Sequence, residues 1–294
     1  MKASLNIRKD RIFYPLLFVV WGVIIYGVNA HYSYFGAPIP GVDFAPQQST
    51  VATVQAMVDT IAHQRNVLVS EKKPAQRGRS LEIIGTTFFR LHAITRKPAY
   101  LDSALQSCSD ALRENAKSSS AYFMLGQIMS EKKEFASAKD QYEKAIACDP
   151  RSPLLQQTLG ILLWFDLKQT DLAKFHLESA LRLDSLFPTA NYVLGVIALD
   201  KNDASAAVEH FEKELLSYSA LSKSHKSTPV DQADIRMAAC FSSLRLAFLY
   251  STSFYDERKA QDRFGIYLDL ETDPQRKQAS ANQIQKYWKT SRSR

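Results

Sequence analysis

The sequence predicts an all-α protein: a helical solenoid of stacked helix pairs that follows a single apolar N-terminal helix. Three glycines indicate the repeat, since Gly126, Gly160 and Gly195 lie 34 and 35 residues apart, each directly after a leucine. Apolar residues recur around them at helical spacing, which is typical of amphipathic helices. With 10 glycines and 11 prolines in 294 residues, few helix breakers interrupt this pattern.

Composition and charge indicate an ordered protein with two basic ends. Hydrophobic residues make up 46% of the chain and charged residues 23%. Of the formal net charge of +7, residues 1–11 supply +3 and residues 275–294 supply +6, which leaves −2 for the middle. Such ends suit an anionic lipid surface or an acidic partner, and we expect no nucleic-acid partner.

Residues 12–30 form the first predicted element, a transmembrane helix. No charge occurs between residues 12 and 28, and such a helix reaches roughly 27 Å, just enough for a hydrocarbon core. Four basic residues precede the run and none follows it until Arg65. The positive-inside rule therefore places residues 1–11 in the cytoplasm and the domain beyond the helix in the periplasm, on a single-pass inner-membrane protein.

A cleaved signal peptide is the alternative explanation of the same run. Val28-Asn29-Ala30 resembles a cleavage site, although the apolar run is longer than the ~7–15 residues of a signal core. The sequence contains no Asn-x-Ser/Thr, which favours a bacterial periplasm over an endoplasmic reticulum lumen. Residues 31–48, rich in Gly and Pro, predict an extended linker.

The rest of the chain divides into an N-terminal helical segment, a repeat array and a cap. The segment covers residues 49–84 and is predicted to break at the run KKPAQRGRS, residues 72–80. Helix pairs follow at about 85–118, 119–152, 153–187 and 188–221, with a degenerate pair at 231–272 inside an array ending at residue 272. Residues 217–230 predict a polar loop, and residues 273–294 predict a capping helix with a basic tail.

Two residues depart from the pattern of the array. His92 stands at the glycine position of the first pair, and Glu214 stands at the last small position of the fourth. We expect Glu214 to loosen the packing there, because a small residue normally allows the helices to approach.

The clearest repeat, residues 119–152, resembles the tetratricopeptide repeat, a helix-turn-helix unit of about 34 residues. Its small, aromatic and terminal positions hold Gly126, Ala138, Tyr142 and Pro150, and matching positions in the next two pairs hold Gly160, Ala173, Gly195, Ala207 and Phe211. The resemblance implies paired helices that approach closely at the small residues. It specifies an architecture and no reaction.

The resemblance also implies a groove for protein partners, lined by the first helix of each pair. The matching positions hold apolar, aromatic, amide and hydroxyl side chains: Ser120, Phe123, Gln127 and Ser130; Leu154, Gln157, Ile161 and Trp164; Thr189, Tyr192, Val196 and Leu199. The Lys and Asn pattern with which some members clamp a C-terminal carboxylate is missing. The expected partner is an apolar or extended peptide, or a helix of another subunit. Alternatively, these side chains pack only against the neighbouring helix.

The sequence lacks the residue patterns that would indicate catalysis or cofactor binding. It has no glycine-rich phosphate loop, no His-Glu-x-x-His and no Gly-x-Ser-x-Gly, so we expect no enzyme, no cofactor and no small-molecule substrate. Cys108, Cys148 and Cys240 predict buried thiols and no disulfide framework. His176 and His210 occupy equivalent positions in adjacent second helices, but without further ligands they predict solvated surface histidines and no metal site.

These features predict a membrane-anchored scaffold, an accessory or assembly subunit of a membrane protein complex, that contacts lipid through residues 12–30. The layout resembles bacterial membrane-tethered tetratricopeptide proteins that assist secretion, envelope assembly or cytochrome maturation. A periplasmic chaperone-like adaptor, which holds client polypeptides transiently, is the alternative. An enzyme would require a reactive constellation that the sequence does not contain.

Overall fold

The computed structural model describes residues 48–222 and 229–282, and within these ranges the secondary structure is entirely helical. The helices are α1 Gln48–Ser70, α2 Pro74–Thr95, α3 Pro98–Glu114, α4 Ser119–Glu131, α5 Phe135–Cys148, α6 Pro153–Phe165, α7 Thr170–Leu183, α8 Ala190–Asp200, α9 Ala204–Ser222, α10 Pro229–Thr252 and α11 Glu257–Leu270. Residues 274–282 are also helical. The predicted all-α class is confirmed for the described residues.

The predicted N-terminus, transmembrane helix and linker, residues 1–47, lie outside the described ranges. Among the helices that the structure does describe, none combines the length and the hydropathy needed to cross a bilayer.

The chain divides into two compact units, Met1–Glu134 and Phe135–Arg294, called unit 1 and unit 2 below. The division falls in the turn between α4 and α5, inside the clearest repeat of the sequence. Gly126, a buried residue of α4, therefore belongs to unit 1. Ala138 and Tyr142, which are buried in α5, belong to unit 2, and Pro150 lies exposed in the turn that follows α5.

Unit 1 is held together by an apolar core to which all four of its helices contribute. Helix α1 adds the buried Met57 and Ile61, and its partly buried Val54 and Leu68 pack against the same core. The other buried members are Ile84, Phe88, Phe89 and Leu91 of α2, Leu101, Ala104 and Cys108 of α3, and Met124, Leu125 and Ile128 of α4.

Helix α2 differs from the sequence prediction because it begins at Pro74 and runs across the predicted boundary at residues 84 and 85. Most of the run KKPAQRGRS is helical, since proline is tolerated in the first turn of a helix. The close approach to α3 occurs at Gly85, where a Cβ atom would lie 2.6 Å from Cys108 Sγ. His92 is instead buried, with Nδ1 3.0 Å from the Lys97 carbonyl oxygen and Nε2 3.4 Å from Glu131 Oε1.

In unit 2 each helix packs against the helices that precede and follow it within the unit. Glycine permits the close approach in two pairs. A Cβ atom on Gly160 would lie 2.9 Å from Leu177 Cγ, and one on Gly195 would lie 2.6 Å from Phe211 Cε1. The remaining small or aromatic positions of these pairs, Ala173, Ala207 and Phe211, are wholly buried.

The end of unit 2 is more helical than the sequence predicted. The predicted polar loop at residues 217–230 is wrong at both ends, since α9 continues to Ser222 and α10 begins at Pro229. Of the predicted cap at 273–294, residues 283–294 lie outside the described ranges. Its described part contacts α11 through Ser280, whose Oγ lies 2.9 Å from the Tyr267 hydroxyl.

Candidate protein-binding face

The predicted groove residues of unit 1 lie on α4, and the structure leaves them partly accessible. Phe123, Gln127 and Ser130 are half-buried, and Phe123 packs against the apolar core of the unit. The Ser130 hydroxyl is buried and has no hydrogen-bond partner. The core of unit 1 thus takes up part of the surface that the sequence assigned to a partner.

In unit 2 the predicted groove residues separate into a buried and an accessible set. Gln157, Tyr192 and Val196 are only 6%, 7% and 2% exposed, so they pack inside the unit. Ile161, Trp164 and Leu199 are half-buried and retain surface for a partner. These three residues, on α6 and α8, are called the open face below.

The largest member of the open face lies beside a carboxylate of α8. Burial raises the pKa of Asp200, at the end of α8, above its usual range, against the lowering effects of the Trp164 indole and of the Arg245 and Lys168 cations. Trp164 therefore brings an aromatic ring and a polar N–H group to the side of α6 that is close to the end of α8.

Behind the open face, the buried Tyr192 lies at the centre of an aromatic cluster that also holds a cation. Its ring centroid lies 6.0 Å from that of Phe211 and 6.4 Å from that of Phe241. The guanidinium carbon of Arg245, on α10, lies 5.6 Å from the Tyr192 centroid. Sequence analysis missed Arg245, although a lone cation in the apolar stretch of residues 237–250 was a usable indication.

Glu214 does not loosen the fourth pair, so that prediction is wrong. Its side chain is wholly buried, and its two carboxylate oxygens accept from the backbone N–H groups of Thr189 at 2.8 Å and Tyr192 at 3.2 Å. Glu214 therefore caps the start of α8 and holds Tyr192 in place. Burial raises the pKa of Glu214 to about 7, although the two backbone hydrogen bonds act in the opposite direction.

The two repeated histidines are only partly solvated, and each has a side-chain partner, which corrects the prediction of freely solvated residues. His176 and His210 are half-buried, and their Nδ1 atoms lie 2.8 Å from Gln156 Oε1 and 3.2 Å from Asn191 Oδ1. Burial lowers the pKa of both imidazoles. Each histidine thus joins the second helix of a pair to its first helix.

The described residues contain no group of three or more His, Cys, Asp or Glu side chains that could hold a metal ion. All three cysteines are free thiols. Cys108 and Cys240 are buried, as predicted, and Cys148 is half-buried. Burial raises the pKa of both Cys108 and Cys240 to about 12, which keeps these thiols protonated and unreactive.

Comparison with known proteins supports the repeat architecture. Residues 119–152 match the family model of the tetratricopeptide repeat, which confirms the predicted repeat there. No curated protein sequence matches the chain. Among solved structures, PilF of Pseudomonas aeruginosa is similar with a TM-score of 0.57 and 18% identity, over 74% of this chain and 87% of PilF.

Two further structures have a similar fold. The APC/C hetero-tetramer Cut9–Hcn1 gives a TM-score of 0.56 and 18% identity, over 79% of this chain and 40% of the other. MamA gives a TM-score of 0.49 and 19% identity, over 60% of this chain and 98% of MamA. At such identities the similarity concerns the fold.

Proposed function

We propose that the chain is a non-enzymatic scaffold, tethered to a bacterial inner membrane by residues 12–30, with its helical repeats in the periplasm. It serves as an accessory or assembly subunit of a membrane protein complex. The observation that carries this proposal is the open face, where Ile161, Trp164 and Leu199 keep accessible surface on neighbouring first helices. Partly exposed apolar and aromatic side chains grouped on one face are typical of protein-binding surfaces.

Trp164 is the expected energetic centre of that surface. Tryptophan is enriched among the few interface residues that contribute most of a binding free energy. The indole of Trp164 is half-buried, so part of its apolar surface is already packed and the rest is accessible to a partner.

The structural comparison adds support from a protein assembly of similar fold. Cut9–Hcn1 is a hetero-tetramer, so one chain of this fold does act within a complex of different proteins. The tether at residues 12–30 would confine the scaffold to two dimensions and raise the effective concentration of membrane partners.

Purification of the full chain in a mild detergent tests this function. We expect one membrane protein to co-purify in a fixed molar ratio. Trp164→Ala should weaken that association by about 30-fold or more, as expected for a residue contributing about 2 kcal/mol. Phe175→Ala is the matched control, since Phe175 is an aromatic residue that is 56% exposed on the second helix α7.

Recovery of the chain without any partner would contradict the scaffold role. Many different clients in sub-stoichiometric amounts would favour the chaperone-like adaptor instead. If Phe175→Ala weakens the association and Trp164→Ala does not, the binding surface lies on the second helices instead.

A further inference from the structure

Arg245 is a buried cation whose hydrogen-bonding capacity the described residues do not satisfy. The residue is 8% exposed, and the Nη1 atom is buried without a partner among them. Among the described residues its one acceptor is the Tyr192 hydroxyl, 3.4 Å from Nη2, which is longer than the usual 2.7–3.2 Å. The rings of Tyr192 and Phe211, with centroids 5.6 and 5.8 Å from Cζ, offer it only a weaker attraction.

A second donor without a partner lies one helical turn away on α10. Ser242 is wholly buried, and its hydroxyl also makes no hydrogen bond. Residues three apart on a helix share a face, so Ser242 and Arg245 direct polar groups toward the same side of α10. We call these two residues the α10 donor pair.

The Asp200 carboxylate interacts with the Arg245 cation electrostatically, without the short contact of an ion pair. No carboxylate of the described residues forms an ion pair with Arg245. A buried charge without a bonded partner is costly, and buried charges in proteins are usually paired, so an opposite charge supplied by another molecule would stabilise Arg245.

We propose that the α10 donor pair receives a carboxylate of the partner polypeptide, the side chain of an aspartate or glutamate in an extended segment. This inference rests on the proposed function and specifies the chemistry of the partner. An arginine guanidinium with a neighbouring hydroxyl suits a carboxylate, because charge-assisted hydrogen bonds are the strongest that such donors make. On binding, the carboxylate supplies an acceptor to the Nη1 atom of Arg245, which lacks one among the described residues.

The test uses the full chain and an array of immobilised 12-residue peptides built from Leu, Phe and Ala, each with one Asp and a matched copy carrying Asn. We expect the Asp peptides to bind at least about tenfold more tightly than their Asn copies, as a charge-assisted bond in a buried site provides. Arg245→Met should reduce this ratio to about one. Arg258→Met is the matched control, because it removes one cation from an exposed position on α11 of the same unit.

Arg245→Met should fold, since replacing an unpaired buried charge with an apolar side chain is often neutral or stabilising. Melting temperatures verify this. Ser242→Ala is the second variant, which should lower the preference for Asp without removing it. Free sodium acetate, as a competitor, distinguishes recognition of a peptide segment from capture of any small carboxylate.

Three results would overturn the inference: a preference for Asp that survives Arg245→Met, equal binding of Asp and Asn peptides, or no binding of any peptide. If Asp and Asn peptides bind equally and Trp164→Ala still abolishes their binding, only the inference fails and the scaffold function stands. If no peptide binds and no partner co-purifies, both fail.

Discussion

Helices α6 and α8 begin equivalent helix pairs of unit 2, yet they are capped in different ways. At α6 the preceding residue, Ser152, accepts a hydrogen bond from the Leu155 N–H at 3.4 Å. Thr189 directly precedes α8, and its side chain makes no capping hydrogen bond. The cap comes instead from Glu214, on the second helix of the same pair.

The difference shows that one requirement of the fold can be met by a local or by a distant residue. The first N–H groups of a helix need acceptors, and a buried helix start cannot obtain them from water. Supplying the cap from α9 brings a carboxylate into the core, and Thr189 adopts a left-handed φ of 73°, which is unusual for a β-branched residue. The start of α8 therefore takes its cap from α9, whereas the start of α6 takes its cap from the adjacent Ser152.

Removing the two caps should give the largest difference in the free energy of unfolding. Glu214→Ala leaves two buried N–H groups without acceptors and creates a cavity, so we expect a loss of about 3 kcal/mol in the free energy of unfolding. Ser152→Ala should cost about 1 kcal/mol, the usual value for an N-cap. Urea denaturation of the full chain measures both, and equal losses would contradict the assignment of Glu214 as the cap.

Substitution of Gly160 and of Gly195, where the paired helices approach closely, should change the free energy of unfolding by amounts that differ less. Gly195→Ala places a methyl group against the wholly buried Phe211 ring, 2.6 Å from Cε1, and we expect a loss of about 2 kcal/mol from overpacking. Gly160→Ala overlaps less severely, with Leu177 Cγ at 2.9 Å and the Ala173 backbone oxygen at 3.1 Å, and should cost about 1 kcal/mol. The same denaturation experiment compares them, and a larger loss at Gly160 would show that Phe211 can move.

The pH dependence of stability should distinguish the two pairs as well. Because the folded-state pKa of Glu214, about 7, lies above its usual value of 4.5, the folded state binds more protons between these pH values. Its contribution to stability is therefore greatest below about pH 4.5 and is lost as the pH rises through 7.

The matched variant Glu214→Gln lacks this titration. We expect the melting temperature of the natural chain relative to Glu214→Gln to be highest near pH 5 and to decline toward pH 8. His176 and His210 titrate in both proteins, so their effects cancel in the difference. A difference that grows with pH would mean that the two backbone N–H bonds outweigh burial and keep Glu214 ionised.

The smallest effect is expected in the turns between the helices of each pair. Lys168 and Asn202 both adopt left-handed backbone, with φ of 56° and 58°. Asparagine tolerates this conformation better than lysine, so Lys168→Gly should stabilise by about 0.5 kcal/mol and Asn202→Gly by less. Thermal melts measure both substitutions, and a loss of stability at Lys168→Gly would show that the contact of Lys168 with the Phe165 ring outweighs the backbone strain.

Local patterns predicted the fold where the repeat is regular. The spacing of Gly160 and Gly195 correctly indicated the two close approaches, because their cause, a short distance between paired helices, requires glycine at a fixed place in each pair. At α2 the pattern failed, since the close approach occurs at Gly85 and not at the repeat position that His92 occupies.

The candidate site was less predictable because burial depends on neighbours that are distant in sequence. A position on the first helix of a pair indicates which way a side chain faces. It does not predict whether other helices bury that side chain, and both Gln157 and Tyr192 are buried. Glu214 looked like a defect because its bonds reach 25 and 22 residues back along the chain. Arg245 lies in the degenerate pair at residues 231–272, where the repeat positions are too unclear to have indicated a role for it.

Photo-crosslinking in cells tests most directly whether the open face holds a partner. A benzophenone amino acid replaces Leu199 on the open face or, as the control, Leu216, which is 67% exposed on the second helix α9. The account predicts one discrete crosslinked membrane protein from position 199 and none from position 216. Adducts of that protein from position 216 alone, or equal adducts from both positions, would contradict it.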